Sequence, residues 1–184
     1  LSIKLRDLLA KEVPLLEQFS IDEFFADVTG YIDESEIEEF ALYLKKKIFD
    51  ELKLPISIGI ANTKYLSKLI TEYAKPDGIK YVSAQNVESF IHDIPIREFP
   101  GIGKAFQERL KGYGIKTLGD IRKNQKLFYS WKKSGIDLYN RVCGIRDNKL
   151  SFEREKKSIG IGRTFDVIYN RDELRRRVMI LSRY

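Results

Sequence analysis

The stretch L-E-Q-F-S-I-D-E-F-F-A-D-V-T-G at residues 16–30 limits the fold of this chain more than any other. Two short apolar, β-favouring runs, residues 15–19 and 24–28, flank Ser20-Ile21-Asp22-Glu23, which predicts a hairpin with adjacent carboxylates at its bend. Apolar neighbours favour burial, and an unpaired buried carboxylate is costly. The pair therefore calls for a compensating Arg, Lys or metal ion. Magnesium suits such a pair, because it is hard, prefers oxygen and is held by one or two carboxylates together with substrate phosphates. In a regular strand Asp22 and Glu23 point to opposite faces, so they share one site only if the backbone bends there. A solvated turn is the other reading of the same residues.

Composition narrows the function classes. With 184 residues, 43% of them hydrophobic, the chain can bury a core as one large or two small domains. It has no long apolar run and no secretory leader pattern, so no membrane is expected and the default compartment is the cytoplasm. The single cysteine, Cys143, excludes an internal disulfide and a multi-cysteine zinc site. His92, the only histidine, is read as structural. Net charge is +6, unevenly spread: the first 82 residues hold 11 basic against 15 acidic side chains, while residues 83–145 and 146–184 each hold 11 against 6. Carboxylates thus gather around the acidic bend, and the positive excess that follows suits a grip on a phosphate backbone.

Along the chain, residues 3–11 read as a short helix stopped near Pro14. After the hairpin, Ile37, Phe40, Ala41, Leu44 and Ile48 fall at helical spacing, with Ser35 as the expected N-cap. Residues 55–61 read as a strand. A helix marked by Leu66, Leu69, Ile70 and Tyr73 follows, then the turn Lys75-Pro76-Asp77-Gly78 and a strand at residues 79–82. Residues 83–94 read as a helix capped by Ser83. Phe99-Pro100-Gly101-Ile102-Gly103-Lys104, a helical run to Leu110, and Gly112 to Ile121 then resemble a helix-hairpin-helix DNA-binding motif. In such a motif Gly101, Ile102, Gly103 and Lys104 would present backbone amides and a helix N-terminus to a phosphate. A glycine-rich turn between two helices is the structural alternative. Residues 128–131 and 136–142 complete a helical bundle, residues 146–156 read as a linker, and a helix with Arg175, Arg176 and Arg177 begins at Asp172, with Leu174, Val178 and Leu181 expected inward.

Four stretches together resemble the Y-family, or translesion, DNA polymerases of the UmuC and DinB group: S-I-D-E followed by D-V-T-G; G-I-A-N-T-K with A-K-P-D-G-I; the helix-hairpin-helix; and K-S-I-G-I-G-R-T-F at residues 157–165. The resemblance implies an α+β fold, with a partial palm at residues 1–82, a helical thumb at 83–145, a linker at 146–156 and the start of an α/β little finger at 157–184. It implies template-directed nucleotidyl transfer to a primer 3′ end on damaged DNA, with two Mg²⁺ ions, as part of DNA repair and the SOS response. Asp22 and Glu23 would be catalytic metal ligands. Lys75, Lys64 and Ser20 would lie near the triphosphate of the incoming deoxynucleotide, Lys64 positioning the strand-to-helix turn. Lys157 and Arg163 would join the DNA contacts, and a sliding clamp would dock through regions beyond this sequence.

The family's first motif, an N-terminal strand whose Asp bridges both metals, has no counterpart here, and neither have the fingers. The chain therefore reads as an interior piece, weak in polymerase activity by itself and with a raw sheet edge where that strand belongs. Two further classes compete: a non-catalytic DNA-binding module built on the helix-hairpin-helix, and a metal-dependent nuclease.

Overall fold

The computed structural model describes residues 1–145, 150–151, 160 and 162–183. The chain divides into two compact units, Leu1–Phe152 and Glu153–Tyr184. The first unit opens with α1 (Ser2–Glu12), which turns Leu5 and Leu8 inward and ends at Val13 in an extended conformation. Pro14 accounts for that ending, since a proline pushes the residue before it out of the helical region. The predicted hairpin follows as β1 (Leu15–Gln18) and β2 (Phe24–Asp27), antiparallel, with Leu15 opposite Asp27 and Gln18 opposite Phe24.

A 3₁₀ turn at Glu34–Glu36 leads into α2 (Ile37–Leu52). Ser35 lies inside that turn, which Asp33 opens by accepting the Glu36 N–H, so it is not the N-cap expected from sequence. Ala41, Leu44 and Ile48 face inward, and Ile48 joins Leu5 and Leu8 in a small core. The next strand, β3 (Ile58–Ile60), is shorter than residues 55–61 suggested, and it pairs in parallel with β4 (Ile79–Tyr81). Parallel neighbours need a crossover, and α3 (Lys64–Ala74) supplies it. The helix packs so closely on β3 that a Cβ on Gly59 would lie 2.3 Å from the Ser67 carbonyl oxygen and the Thr71 amide nitrogen. Leu66, Leu69, Ile70 and Ala74 are buried, whereas Tyr73, expected on that face, is exposed.

Beyond β4 the helix expected at residues 83–94 is broken into a 3₁₀ turn at Ala84–Asn86 and α4 (Val87–Ile91), without a side-chain cap from Ser83. Then come α5 (Lys104–Gly112), α6 (Leu118–Lys123), α7 (Gln125–Ser130) and α8 (Lys132–Cys143). One apolar core runs from Leu66, Leu69 and Ile70 of α3 through Phe99, Leu110, Ile115, Leu118 and Phe128 to Val142 and Cys143. The segments expected as palm and thumb therefore share their interior. None of the described helices is long and apolar enough to cross a membrane.

The described strands form two separate two-stranded sheets. Among the described residues neither β2 nor β3 has a partner on its second edge. Both line one cavity of about 600 Å³, with Leu5, Leu9, Leu44 and Ile48 among its apolar walls.

In the second unit, α9 (Arg171–Leu181) is capped by the Asn170 side chain, which accepts the Asp172 and Glu173 N–H groups. Leu174 and Val178, expected inward, are exposed, because no described element of this unit covers them. The little-finger strand expected at residues 157–165 is absent from its described part, residues 160 and 162–165. A strand needs a pairing partner, and none is described there.

Gly59→Ala is expected to lower stability by about 1–3 kcal/mol, the usual cost of forcing an extra methyl into a packed interior. The midpoint of urea unfolding measures it, and an unchanged midpoint would contradict the close seating of α3 on β3.

Candidate active site and nucleic-acid interface

The hairpin turn is built around Ser20. Its Oγ donates to Asp22 Oδ1 at 2.7 Å and accepts the Glu23 N–H at 3.2 Å, while the Phe19 and Ser20 N–H groups both close on the Glu23 carbonyl, at 2.9 and 3.2 Å. These bonds bend the backbone before β2 begins, and the bend removes the geometric objection to a shared site. Asp22 is exposed and Glu23 half-buried, yet both line the cavity between the sheets. Ser20, expected beside a nucleotide, is engaged by the acidic bend itself. Asp27 accepts the Thr29 N–H at 3.0 Å and so shapes the turn after β2.

The electrostatic frame comes from α3. Lys64 and Lys68 fall about 40° apart on the helical wheel, on the face opposite the buried leucines, and Lys75 follows directly after the helix end in an extended conformation. Lys64 Nζ donates to both carboxylate oxygens of Glu17, at 2.6 Å each. Glu17 is 1% exposed on β1 and also accepts the Ser151 N–H at 2.9 Å. The Lys64 ammonium lies 4.8 Å from the Phe25 ring centroid and 5.2 Å from that of Phe19. One turn on, Lys68 pairs with Glu23. Lys75, exposed at the far end of the stripe, bonds Glu72 at 2.8 Å. That bond, with smaller help from the charges of Glu23 and Asp22, raises its pKa above the ordinary lysine value. Lys75 therefore stays cationic across the neutral range.

Glu17 and Lys68 went unrecognised in the sequence, though both left a trace there. Glu17 is the only charged residue within the apolar run of residues 15–19, and Lys68 stands four residues after Lys64 and seven before Lys75. Lys64, expected near a nucleotide, is committed to Glu17 and positions the hairpin against α3.

As a place for a divalent ion, the bend offers two all-oxygen donors from consecutive residues, which fits the habit of magnesium. Among the described residues no three His, Cys, Asp or Glu side chains converge. The Thr63 hydroxyl, on the same cavity, is buried and has no hydrogen-bond partner among the described residues.

The glycine-rich turn takes a defined shape at the start of α5. Gly101 has φ +94°, a conformation only glycine adopts at little cost, and neither Gly101 nor Gly103 has a neighbour within 4 Å of a Cβ position. Ile102 is buried as an anchor, while Gly101, Gly103 and Lys104 stay exposed. A cleft between this turn and α3 is lined by Lys68, Glu72, Arg97, Phe99 and Gly101. Behind it, Asp120 and Thr117 form a capping box, in which Asp120 accepts the Lys116 and Thr117 N–H groups at 2.9 Å each. Those two bonds hold the Asp120 carboxyl below its usual pKa. In the second unit Arg163 is exposed and carries an interaction of its own, and Arg177 stacks 4.7 Å from the Phe165 ring. Lys157 lies outside the described residues.

The impB/mucB/samB family profile matches residues 1–72, and the HHH motif of the same family matches residues 84–115. The chain belongs to the Y family of DNA polymerases. It is 35% identical over 177 residues to the DNA polymerase IV of Clostridioides difficile, covering 94% of this chain and 48% of that protein. It is 32% identical over 166 residues to that of Cronobacter sakazakii, covering 89% and 47%. Among solved structures, an insertion ternary complex of Dbh DNA polymerase superposes with TM-score 0.72 at 28% identity, covering 81% of this chain and 45% of that one. DinB from Sulfolobus solfataricus superposes with TM-score 0.70 at 28% identity, with the same coverage. This Y-family chain thus spans about half the length of the relatives it matches.

Lys64→Met leaves the Glu17 carboxylate buried without its main counter-charge and is expected to cost about 3–5 kcal/mol. Urea unfolding of Lys64→Met beside Glu17→Leu/Lys64→Met tests this, since removing both charges should recover much of the loss. Asp120→Ala is expected to cost about 1 kcal/mol at neutral pH. Because the folded carboxyl titrates below its unfolded value, that contribution is full above about pH 4 and disappears as pH falls through the lower folded value. Wild type and variant should therefore converge in stability under acid.

Proposed function

We propose that this chain is the later palm, thumb and little-finger start of a translesion DNA polymerase. The observation that carries the reading is the Ser20-braced bend, which brings Asp22 and Glu23 to one cavity, with Lys75 cationic within electrostatic range of both. Asp22 and Glu23 are the ligands proposed for divalent magnesium. The ion, when bound, neutralises charge on the transferring phosphoryl group and on the attacking primer oxygen. Lys75 faces the triphosphate of the deoxynucleotide, where an ammonium on phosphate oxygens is worth most in the transition state. Lys64 acts through Glu17 to hold the hairpin in place, and Ser20 orients Asp22.

The glycine turn supplies the proposed grip on primer–template DNA. Exposed amides at Gly103 and Lys104, at the start of the nine-residue α5, receive a backbone phosphate, while buried Ile102 keeps the turn from collapsing. Such contacts position the duplex without reading bases, which suits an enzyme that works on damaged template. The cleft from this turn runs along Lys68 and Glu72, which also line the acid cavity. A strand bound at the turn thereby reaches the carboxylates. Arg163 and Lys157 are proposed as further phosphate contacts in the second unit.

Two carboxylates from one bend are one fewer than a two-ion clamp needs. An extended segment bearing an acid, seated between the unpaired edges of β2 and β3, would join the two sheets and complete the set. The 184-residue chain alone is accordingly expected to bind DNA yet extend a primer poorly.

Titration of labelled primer–template DNA at about 50 and 200 mM salt, with and without Mg²⁺ and a matching deoxynucleotide, tests the reading. Binding should weaken with salt and gain little from metal and nucleotide. Binding indifferent to salt would sink the DNA grip, and robust magnesium-dependent extension by this chain alone would remove the need for a third acid.

A further inference from the structure

Lys68 belongs to the apolar-backed helix α3, yet its ammonium reaches across to the acidic hairpin and pairs with Glu23. It is also 5.0 Å from the Phe19 ring centroid, so the cation sits between a carboxylate and an aromatic face. Its side chain is 26% exposed and that of Glu23 is 40% exposed, so water reaches both partners. Asp22, the neighbouring acid, takes its hydrogen bond from Ser20 and, among the described residues, forms no ion pair with a lysine. Lys64, by contrast, is held beneath the hairpin by a carboxylate that is almost wholly buried. The two lysines are one helical turn apart and in different situations: Lys64 is locked, and Lys68 is exchangeable.

We propose that Lys68 is the resident counter-cation of the acid pair, which a divalent metal displaces from Glu23 when it binds. This inference rests on reading Asp22 and Glu23 as metal ligands. A hard dication and an ammonium compete for the same carboxylate oxygen, so metal entry and release of Lys68 are one exchange in which one positive charge leaves Glu23 as two arrive. The pairing keeps the bend in its working shape without metal, because Glu23 is tethered to α3 and does not swing into solvent. It also lowers metal affinity by the strength of the pair. The released ammonium remains on the wall shared by the acid cavity and the cleft beside Gly101, where phosphate oxygens of a substrate provide its next partner.

The test is Mn²⁺ binding to the 184-residue chain, followed by electron paramagnetic resonance at constant ionic strength, for wild type, Lys68→Met, Lys68→Arg and Asp22→Ala. Lys68→Met is expected to bind Mn²⁺ about two- to fivefold more tightly, as the loss of a partly exposed competing ion pair predicts, and Lys68→Arg should stay near wild type. In parallel, the lysine ammonium resonances are followed by ¹⁵N NMR as Mg²⁺ is added. The Lys68 signal should shift and exchange faster with water, while that of Lys64 stays in place. Unchanged or weaker binding by Lys68→Met, or a Lys68 signal indifferent to saturating Mg²⁺, overturns the role of Lys68 and leaves the metal site standing. If wild type binds no Mn²⁺ that Asp22→Ala removes, the metal-ligand reading of the acid pair fails, and the inference fails with it.

Discussion

The buried pair of Glu17 and Lys64 is the interaction on which the site depends. A carboxylate at 1% exposure would be prohibitively costly alone, and it is tolerated here because Lys64 meets both of its oxygens and the Ser151 amide adds a third contact. Those three groups come from a strand, a helix and the segment after α8, far apart in sequence. The pair therefore acts as a staple. It fixes β1 against α3, and through the hairpin it fixes where Asp22 and Glu23 stand.

The placement of α3 has its own cause. Gly59 removes the one side chain that would hold the helix away from β3, and Leu66, Leu69 and Ile70 draw its other face into the core shared with α5 to α8. With its apolar face turned to that core, the helix necessarily presents the lysine stripe to the hairpin. Packing thus orients the electrostatics: the hydrophobic effect sets the helix rotation, and the ion pairs with Glu17 and Glu23 follow from it.

The same economy links the acids to the glycine turn. Phe99 and Ile102 are buried in the core that receives α3, so the exposed turn around Gly103 is carried on the same compact unit as the carboxylates. Under the proposed function, a phosphate backbone bound at one end would be held at a set distance from the other, and such positioning is a large part of what phosphoryl transfer requires.

Much of this was legible in the chain. The two short apolar runs within residues 15–28 are a local signal, and they mark the hairpin with Asp22 and Glu23 at its bend; the Pro100 to Gly103 run marks the second turn by its proline and glycines. Boundaries fared less well. Ser35 and Ser83 look like caps, but short 3₁₀ turns displaced them, since neighbouring backbone bonds competed with their side chains. Leu174 and Val178 have core periodicity without a core around them among the described residues of the second unit. The partners of the charges lay beyond local reading altogether. That Lys64 serves Glu17 and Lys68 serves Glu23 depends on contacts 45 to 47 residues apart. By itself the sequence determined which segments bend, pair and coil, because those choices are made between near neighbours. Only the tertiary structure decided which acids were buried, which lysine answered each, and that two sheet edges face one cavity, because desolvation and charge pairing are settled where distant segments meet.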